Sequence, residues 1–156
     1  MKLQKIQILL IRLALAGLFL NLGIGKINQG WLHNASPLTE ELKSIQTHAT
    51  GHHLSYLTNV AIPYASVWSK LIALGELSVG ISLLLGLLVR LSSVIGIFMV
   101  LNLHAGTGNL YSLSFFGSPS AALLIAALIV VMLAGAGRWL GIDQMLAKSH
   151  PGSKLF

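Results

Sequence analysis

Residues 6–25 run almost unbroken through apolar side chains, interrupted only by Arg12 and Asn21. About 20 such residues are what an α-helix needs to cross the hydrocarbon of a bilayer. Inside hydrocarbon the backbone must satisfy its own hydrogen bonds, which restricts spanning segments to helices and closed barrels. A run this long selects the helix. Three further runs follow: 67–89, with Lys70 near its start and Glu76 inside; 91–104, after a turn marked by Arg90; and 118–136. The last opens at Ser118-Pro119, a capping residue followed by proline at the first helical position, and stops at Gly137-Arg138-Trp139. The expected fold is all-α and integral to a membrane: a four-transmembrane-helix bundle, with residues 1–156 as a single domain.

The charge content agrees. Only 9% of residues are charged and 54% are hydrophobic, where a soluble domain carries roughly a quarter charged residues. The net charge of +6 does not point to nucleic acid, because the basic residues stand singly at the ends of apolar runs, with no basic stripe and no interleaved aromatics. Such placement sets membrane orientation instead. With the N-terminus inside, Lys2, Lys5, Arg90, Arg138, Lys148 and Lys154 fall on the cytoplasmic side, against Lys26, Lys43 and Lys70 on the other. Both termini are therefore expected in the cytoplasm, with Trp139 and Trp31 as anchors at opposite interfaces. The N-terminus has some likeness to a secretion signal, with Lys2, Lys5 and Ala14-Leu15-Ala16, but Arg12 interrupts its apolar part and the run continues to Gly25. It is read as a retained first helix. The chain has no cysteine, which removes disulfides and thiolate metal sites and leaves the redox compartment unreadable.

One long extracytoplasmic loop, 27–66, separates the first two helices. Ser36-Pro37 can start a helix there, Glu40 and Glu41 suit its first turn, and Leu38, Leu42 and Ile45 form one apolar face that should lie on the outer surface of the bundle. A second loop, 105–117, carries no charge but has Gly106, Gly108, Tyr111, Phe115 and Phe116, and is expected at the membrane interface. Small residues spaced four apart, Ser78, Ser82 and Gly86 on one helix and Ala122 and Ala126 on another, read as packing stripes.

Polar side chains inside the spans are the functional clue, since each ionisable group costs about 2.5–3.5 kcal/mol to insert. At about 1.5 Å rise per residue, Asn21 lies about 24 Å from the level of Lys5, Glu76 and His104 about 21 Å from that of Arg90, and Asn102 about 18 Å. These four are expected to converge in the outer half of the membrane, with Glu76 as the catalytic carboxyl that accepts or donates a proton. Gly80, one turn on, would let a helix or ligand approach it. The alternative for Glu76 is a structural hydrogen bond that holds helix register. Arg12, about 10 Å deep, either snorkels to the cytoplasmic interface or pairs with Glu76. His48 and His52 stand i, i+4 with His53 adjacent, a spacing that can share a metal on a helix. Thr50 and Gly51 weaken that helix, and no metal centre is expected. No flavin, haem, iron–sulfur or nucleotide motif appears.

Several of these residues together resemble the DoxX/DoxD family: the segment 12–26 between Arg12 and Lys26, Gly75-Glu76-Leu77-x-Val79-Gly80 followed by Leu85-Gly86-Leu87 and Arg90, Asn102, and the closing Gly135-Ala136-Gly137-Arg138-x-x-Gly141-x-Asp143. The resemblance implies a multi-pass protein of a prokaryotic cell (inner) membrane. Some relatives are membrane subunits of thiosulfate:quinone oxidoreductase, and others associate with redox or thiol-stress enzymes. By that analogy Glu76, Arg12, Asn21, Gly80, Asn102 and His104 would line a quinone or small-substrate pocket. The chain would then act as a quinone-linked oxidoreductase subunit, with a partner supplying any further redox centre. Two readings compete with it: a non-enzymatic membrane anchor or assembly subunit for a redox or stress-response complex, and a small transporter. The second is less attractive, because transport pathways show several polar residues along a helix.

Overall fold

The computed structural model describes residues 2–108, 119–138 and 141–149, and every regular element among them is helical. In chain order these are α1 (Lys2–Asn28), α2 (Ser36–Gln46), α3 (Gly51–Tyr56), α4 (Ala65–Leu85), α5 (Val89–Gly106), α6 (Pro119–Leu133) and α7 (Ile142–Ser149). A π-turn, Leu57–Ala61, continues α3, and a 3₁₀ turn, Ala136–Arg138, follows α6. Three helices, α1, α4 and α5, are long and apolar enough to cross a membrane; α6 is equally apolar but shorter. The spans differ from the sequence expectation mainly at their ends. α5 starts two residues earlier and runs to Gly106, so the third run is a full-length helix. α4 stops at Leu85 rather than at 89, because Gly86 takes a left-handed conformation (φ +66°) and Leu88 follows it (φ +50°), which reverses the chain into α5. The expectations for Tyr111, Phe115, Phe116, Ser118, Trp139 and Lys154 lie outside the described residues.

The outside of this bundle is apolar and much of its polarity is inside. Leu10, Leu71, Phe98, Leu123 and Leu133 are exposed, while Arg12, Ser69, Glu76, Ser93 and Asp143 are buried. That is the reverse of a water-soluble domain and suits a protein with lipid around its helices.

The tightest packing is between α1 and α4, where two glycines bring the backbones together. A Cβ on Gly23 would lie 2.6 Å from the backbone nitrogen of Leu77, and one on Gly80 would lie 2.7 Å from that of Leu20. The pairs 20/80 and 23/77 define an antiparallel register in which facing residue numbers sum to 100. Small residues at a crossing give close van der Waals contact where lipid leaves no hydrophobic drive. The four-residue stripes read from the sequence hold only in part: Ser82 meets Ser92 of α5 and Gly86 is packed against Arg12 and Gly141, whereas Ser78 and Ala126 face outward, because α4 turns Ala73, Glu76, Gly80 and Leu83 inward. Gly23→Val or Gly80→Val should each destabilise the folded protein by at least about 1–3 kcal/mol, the usual cost of overpacking. Thermal unfolding in detergent would measure it, and an unchanged midpoint would contradict this crossing.

Residues 29–64 form a folded cap over one end of the bundle. α2 lays Leu38 and Leu42 down as buried residues, with Ile45 beside them, against Trp31, Leu57, Ala61, Ala65 and Ala73. The apolar face expected from the sequence is thus the one that docks. Its start is capped differently: Asn34 Oδ1 accepts hydrogen bonds from the Ser36 N–H (2.9 Å) and hydroxyl (2.7 Å), which leaves Glu40 and Glu41 beyond the first turn. His53 donates from Nε2 to the Gly106 carbonyl (2.9 Å), pinning α3 to the end of α5.

Candidate functional site

Glu76 is 7% exposed on the inner face of α4, and the cation it meets is Lys26. Lys26 Nζ donates to both carboxylate oxygens, at 2.8 Å and 2.7 Å, and sits 5.4 Å from the centre of the Trp31 ring. The packing register explains the choice. Extending 20/80 and 23/77, Lys26 lies within about 3 Å of the level of Glu76 along the axis, and Arg12 about 18 Å away. The sequence estimate set Lys5 and Arg90 at one level. α1 in fact starts well beyond that level, so Arg12 pairs off at the opposite end of the bundle.

Arg12 is 2% exposed and does not reach out to an interface. Its Nη1 donates to the Ala136 carbonyl (2.7 Å), and the charge acting on it is that of Asp143. The Asp143 carboxylate accepts the N–H groups of Leu88 (2.6 Å) and Val89 (3.0 Å), and its own N–H donates to the Gly86 carbonyl (2.9 Å). One side chain thereby caps α5, holds the left-handed Leu88 and balances Arg12. The glycines of the C-terminal signature make room for it: a Cβ on Gly137 would collide with the Asp143 carboxylate. This cluster is structural, remote from Glu76.

Two clefts have Glu76 in their walls. One, of ≈ 750 Å³, lies between α4 and α5 and is walled by Leu71, Ile95, Phe98, Met99 and Leu103, with Glu76 and Asn102 as its polar groups and Trp68 at one end. The other, of ≈ 780 Å³, lies between α1, α5 and α6, where Glu76 and His104 share the walls with Leu22 and Leu124. A third, much smaller cavity lies under the cap; it meets the first at Trp68, Ile72, Asn102 and Leu103.

The structure therefore brings Glu76 to one cleft with Asn102 and to another with His104. It does not bring Asn21, which is exposed on the outer face of α1, away from the inward row of Arg12, Leu15, Ala16 and Phe19. Gly80 serves the α1 crossing, since the Leu20 backbone fills the space above it. Asn102 Oδ1 accepts from the Tyr56 hydroxyl (3.1 Å), and His104 Nδ1 is tied to the Val100 carbonyl (2.8 Å) within its own helix. His48 and His52 do not share a helix, because α2 ends at Gln46 and α3 begins at Gly51. Among the described residues no group of three or more His, Cys, Asp or Glu side chains is placed to hold a metal.

Two participants were missed in the sequence. From the sequence Lys26 reads as an orientation charge and as the end of the segment 12–26, and the available signal for its pairing is an opposite charge near the same end of the bundle as Glu76. Trp68 carried no signal at all. Its indole Nε1 is buried and, among the described residues, meets no acceptor, a rare state for a buried donor.

The fold and pair define a class: a multi-pass helical membrane protein with an ion pair between two of its apolar helices. More particularly, the chain belongs to the DoxX family, whose model matches residues 7–106. That match takes in α1 to α5, and with them Arg12, Lys26, Glu76 and Asn102, while Asp143 lies beyond it. Comparison with curated proteins and with solved structures gives no match.

Proposed function

We propose that this DoxX-family protein is a quinone-linked oxidoreductase subunit of a prokaryotic cell membrane. It crosses four times through α1, α4, α5 and α6, with both termini cytoplasmic and the cap outside. The observation that carries the reading is Glu76, paired with Lys26, set in the wall of an apolar cleft between α4 and α5. Intramembrane ionisable residues mark substrate or proton pathways by default. Orientation is supported by Lys5, Arg90, Arg138 and Lys148, which lie toward the end opposite the cap.

The residues present fit a quinone. The cleft walls are apolar, as a ring and tail require, and the hydrogen-bond donors an oxygen-bearing ring needs are at hand in the Asn102 amide and in Trp68 Nε1, which meets no acceptor among the described residues. When bound, a quinone supplies two-electron redox chemistry coupled to proton uptake. The chain's own part is proton handling and positioning. Glu76 can hold or release a proton at a carboxylate oxygen, and Lys26 fixes the carboxylate's direction through two hydrogen bonds. Lys26 also offers a charge that favours any anion developing nearby. Tyr56 sets the orientation of the Asn102 amide. Exposed apolar residues such as Phe98 and Leu71 leave the cleft's rim open toward lipid.

A second reading is favoured by one specific observation: both oxygens of Glu76 are engaged by Lys26, as in a clamp that only joins α1 to α4. The chain would then be a membrane anchor or assembly subunit for a redox or stress-response complex. Purification in mild detergent, followed by organic extraction and mass spectrometry, separates the two. The expected result is quinone near one per chain, reduced at least tenfold in a monodisperse Glu76→Gln protein. A protein partner recovered without quinone would favour the anchor and end the enzyme reading.

A further inference from the structure

We propose that the end of the bundle opposite the cap holds an anionic glycerophospholipid, gripped at its phosphate by Arg90 and Arg138. Such a site is separate from the clefts beside Glu76 and stands whatever they bind. Gly135 takes a left-handed conformation (φ +59°) just after α6, and the Arg138 N–H donates back to its carbonyl (2.9 Å). That turn carries Arg138 round to where Arg90 leaves the first turn of α5. A Cβ on Gly135 would lie 3.7 Å from Arg90 Nη2 and 3.9 Å from Arg138 Cδ, so side chains from two helices converge over one glycine. Arg138 is exposed and Arg90 partly so, which leaves both open to a headgroup. Setting a protein's orientation needs only a count of positive charges on one side. It does not need two arginines brought to one spot.

Charge complementarity gives the sign of the ligand. The chain has four acidic side chains. Glu40 and Glu41 belong to the cap, Glu76 is held by Lys26, and Asp143 alone lies at this end. Its carboxylate accepts the Leu88 and Val89 N–H groups and opposes Arg12. Among the described residues Lys5, Arg12, Arg90, Arg138 and Lys148 thus stand against one acid. A phosphodiester presents paired oxygens of the kind guanidinium forks bind best. A headgroup with its own ammonium would add a cation to this surplus, whereas a glycerol headgroup brings a net negative charge.

Apolar surface continues inward from both arginines. Leu91 and Val94 on α5, and Val130 and Leu133 on α6, are 43–73% exposed and lie deeper along their helices. Acyl chains resting on them would leave the phosphate at the level of Arg90 and Arg138. A small soluble anion would gain nothing from that surface. One phosphate shared by the two arginines also ties α6 to α5, so an occupied site should stabilise the fold by mass action.

The test is lipid binding to the full-length protein in dodecyl maltoside, followed by native mass spectrometry and thermal unfolding, with dioleoyl-phosphatidylglycerol or dioleoyl-phosphatidylcholine as titrant. Phosphatidylglycerol should saturate near one per chain and raise the unfolding midpoint, and phosphatidylcholine should bind about tenfold more weakly or less tightly still. Arg90→Gln with Arg138→Gln should weaken phosphatidylglycerol at least about tenfold. Lys5→Gln with Lys148→Gln removes the same charge from the same end and should leave binding within about threefold of wild type. Should the arginine-to-glutamine protein not stay monodisperse, Arg90→Lys with Arg138→Lys decides, since it keeps the charge and loses the forks: about fivefold weaker binding supports the site, and wild-type affinity overturns it. Equal binding of the two lipids by wild type, or equal loss from the two glutamine pairs, would reduce the effect to diffuse attraction and end the proposal. Displacement of phosphatidylglycerol by an equal concentration of glycerol phosphate would assign the arginines to a soluble anion and end it too.

Discussion

Replacing Asp143 with alanine should cost about 3–5 kcal/mol of stability, the usual penalty for breaking a buried charged cluster by removing one partner. Asp143 and Arg12 are each 2% exposed, so water cannot take over the lost contacts. The variant strips the acceptor from the N–H groups of Leu88 and Val89, each worth about 1–3 kcal/mol when left unmet in a buried place. It also leaves the Arg12 guanidinium without its opposing charge. The two effects act on one cluster and will not add. Asp143→Asn keeps one acceptor oxygen and should fall between wild type and alanine. Denaturation in detergent, monitored by circular dichroism, would give the order wild type, Asn, Ala; a wild-type midpoint for the alanine variant would refute the role assigned to this cluster.

The second large effect is expected at the other charged pair. Glu76→Ala leaves the Lys26 ammonium, only 19% exposed as a side chain, without a counter-charge, and should again cost about 3–5 kcal/mol. Glu76→Gln retains an acceptor and should cost less, about 1–3 kcal/mol. The informative variant is the double one. Lys26→Met combined with Glu76→Met replaces an ion pair by apolar side chains, an exchange that is often neutral or stabilising, so stability should return to within about 1 kcal/mol of wild type. On the proposed reading bound quinone should not return, because Glu76 belongs to its site. Recovery of stability together with full quinone content would show that the pair is structural only and that the ligand is held elsewhere.

The sequence made the helical, membrane-type architecture plain, because apolar run length is set by bilayer thickness and survives without any tertiary information. The docking face of α2 was readable for a related reason: Leu38, Leu42 and Ile45 recur at helical spacing. What could not be read was how the helices slide past one another. Depth counted from Lys5 and Arg90 placed Arg12 nearer to Glu76 than it is, because the true register comes from Gly23 and Gly80 at the α1–α4 crossing. A shift of that kind exchanges one basic partner for another, and it exchanged Arg12 for Lys26. Rotation about the helix axis was equally hidden, which is why Asn21, polar and at a plausible depth, faces outward. Trp68 could not be singled out at all, since an indole near the end of a span looks like any interfacial anchor until the cavities around it are seen. The C-terminal signature was visible as a pattern, but its meaning needed the folded turn at 86–89 for Asp143 to grip.

That grip has a consequence for how the protein comes into being. Synthesis proceeds from the N-terminus, so Arg12 and the turn at Gly86–Leu88 exist before residue 143 has been made. Until then the first helix carries a cation with no counter-charge, and the turn between α4 and α5 has two N–H groups without an acceptor. The last contacts of that turn are therefore supplied by a residue made only after the last apolar helix.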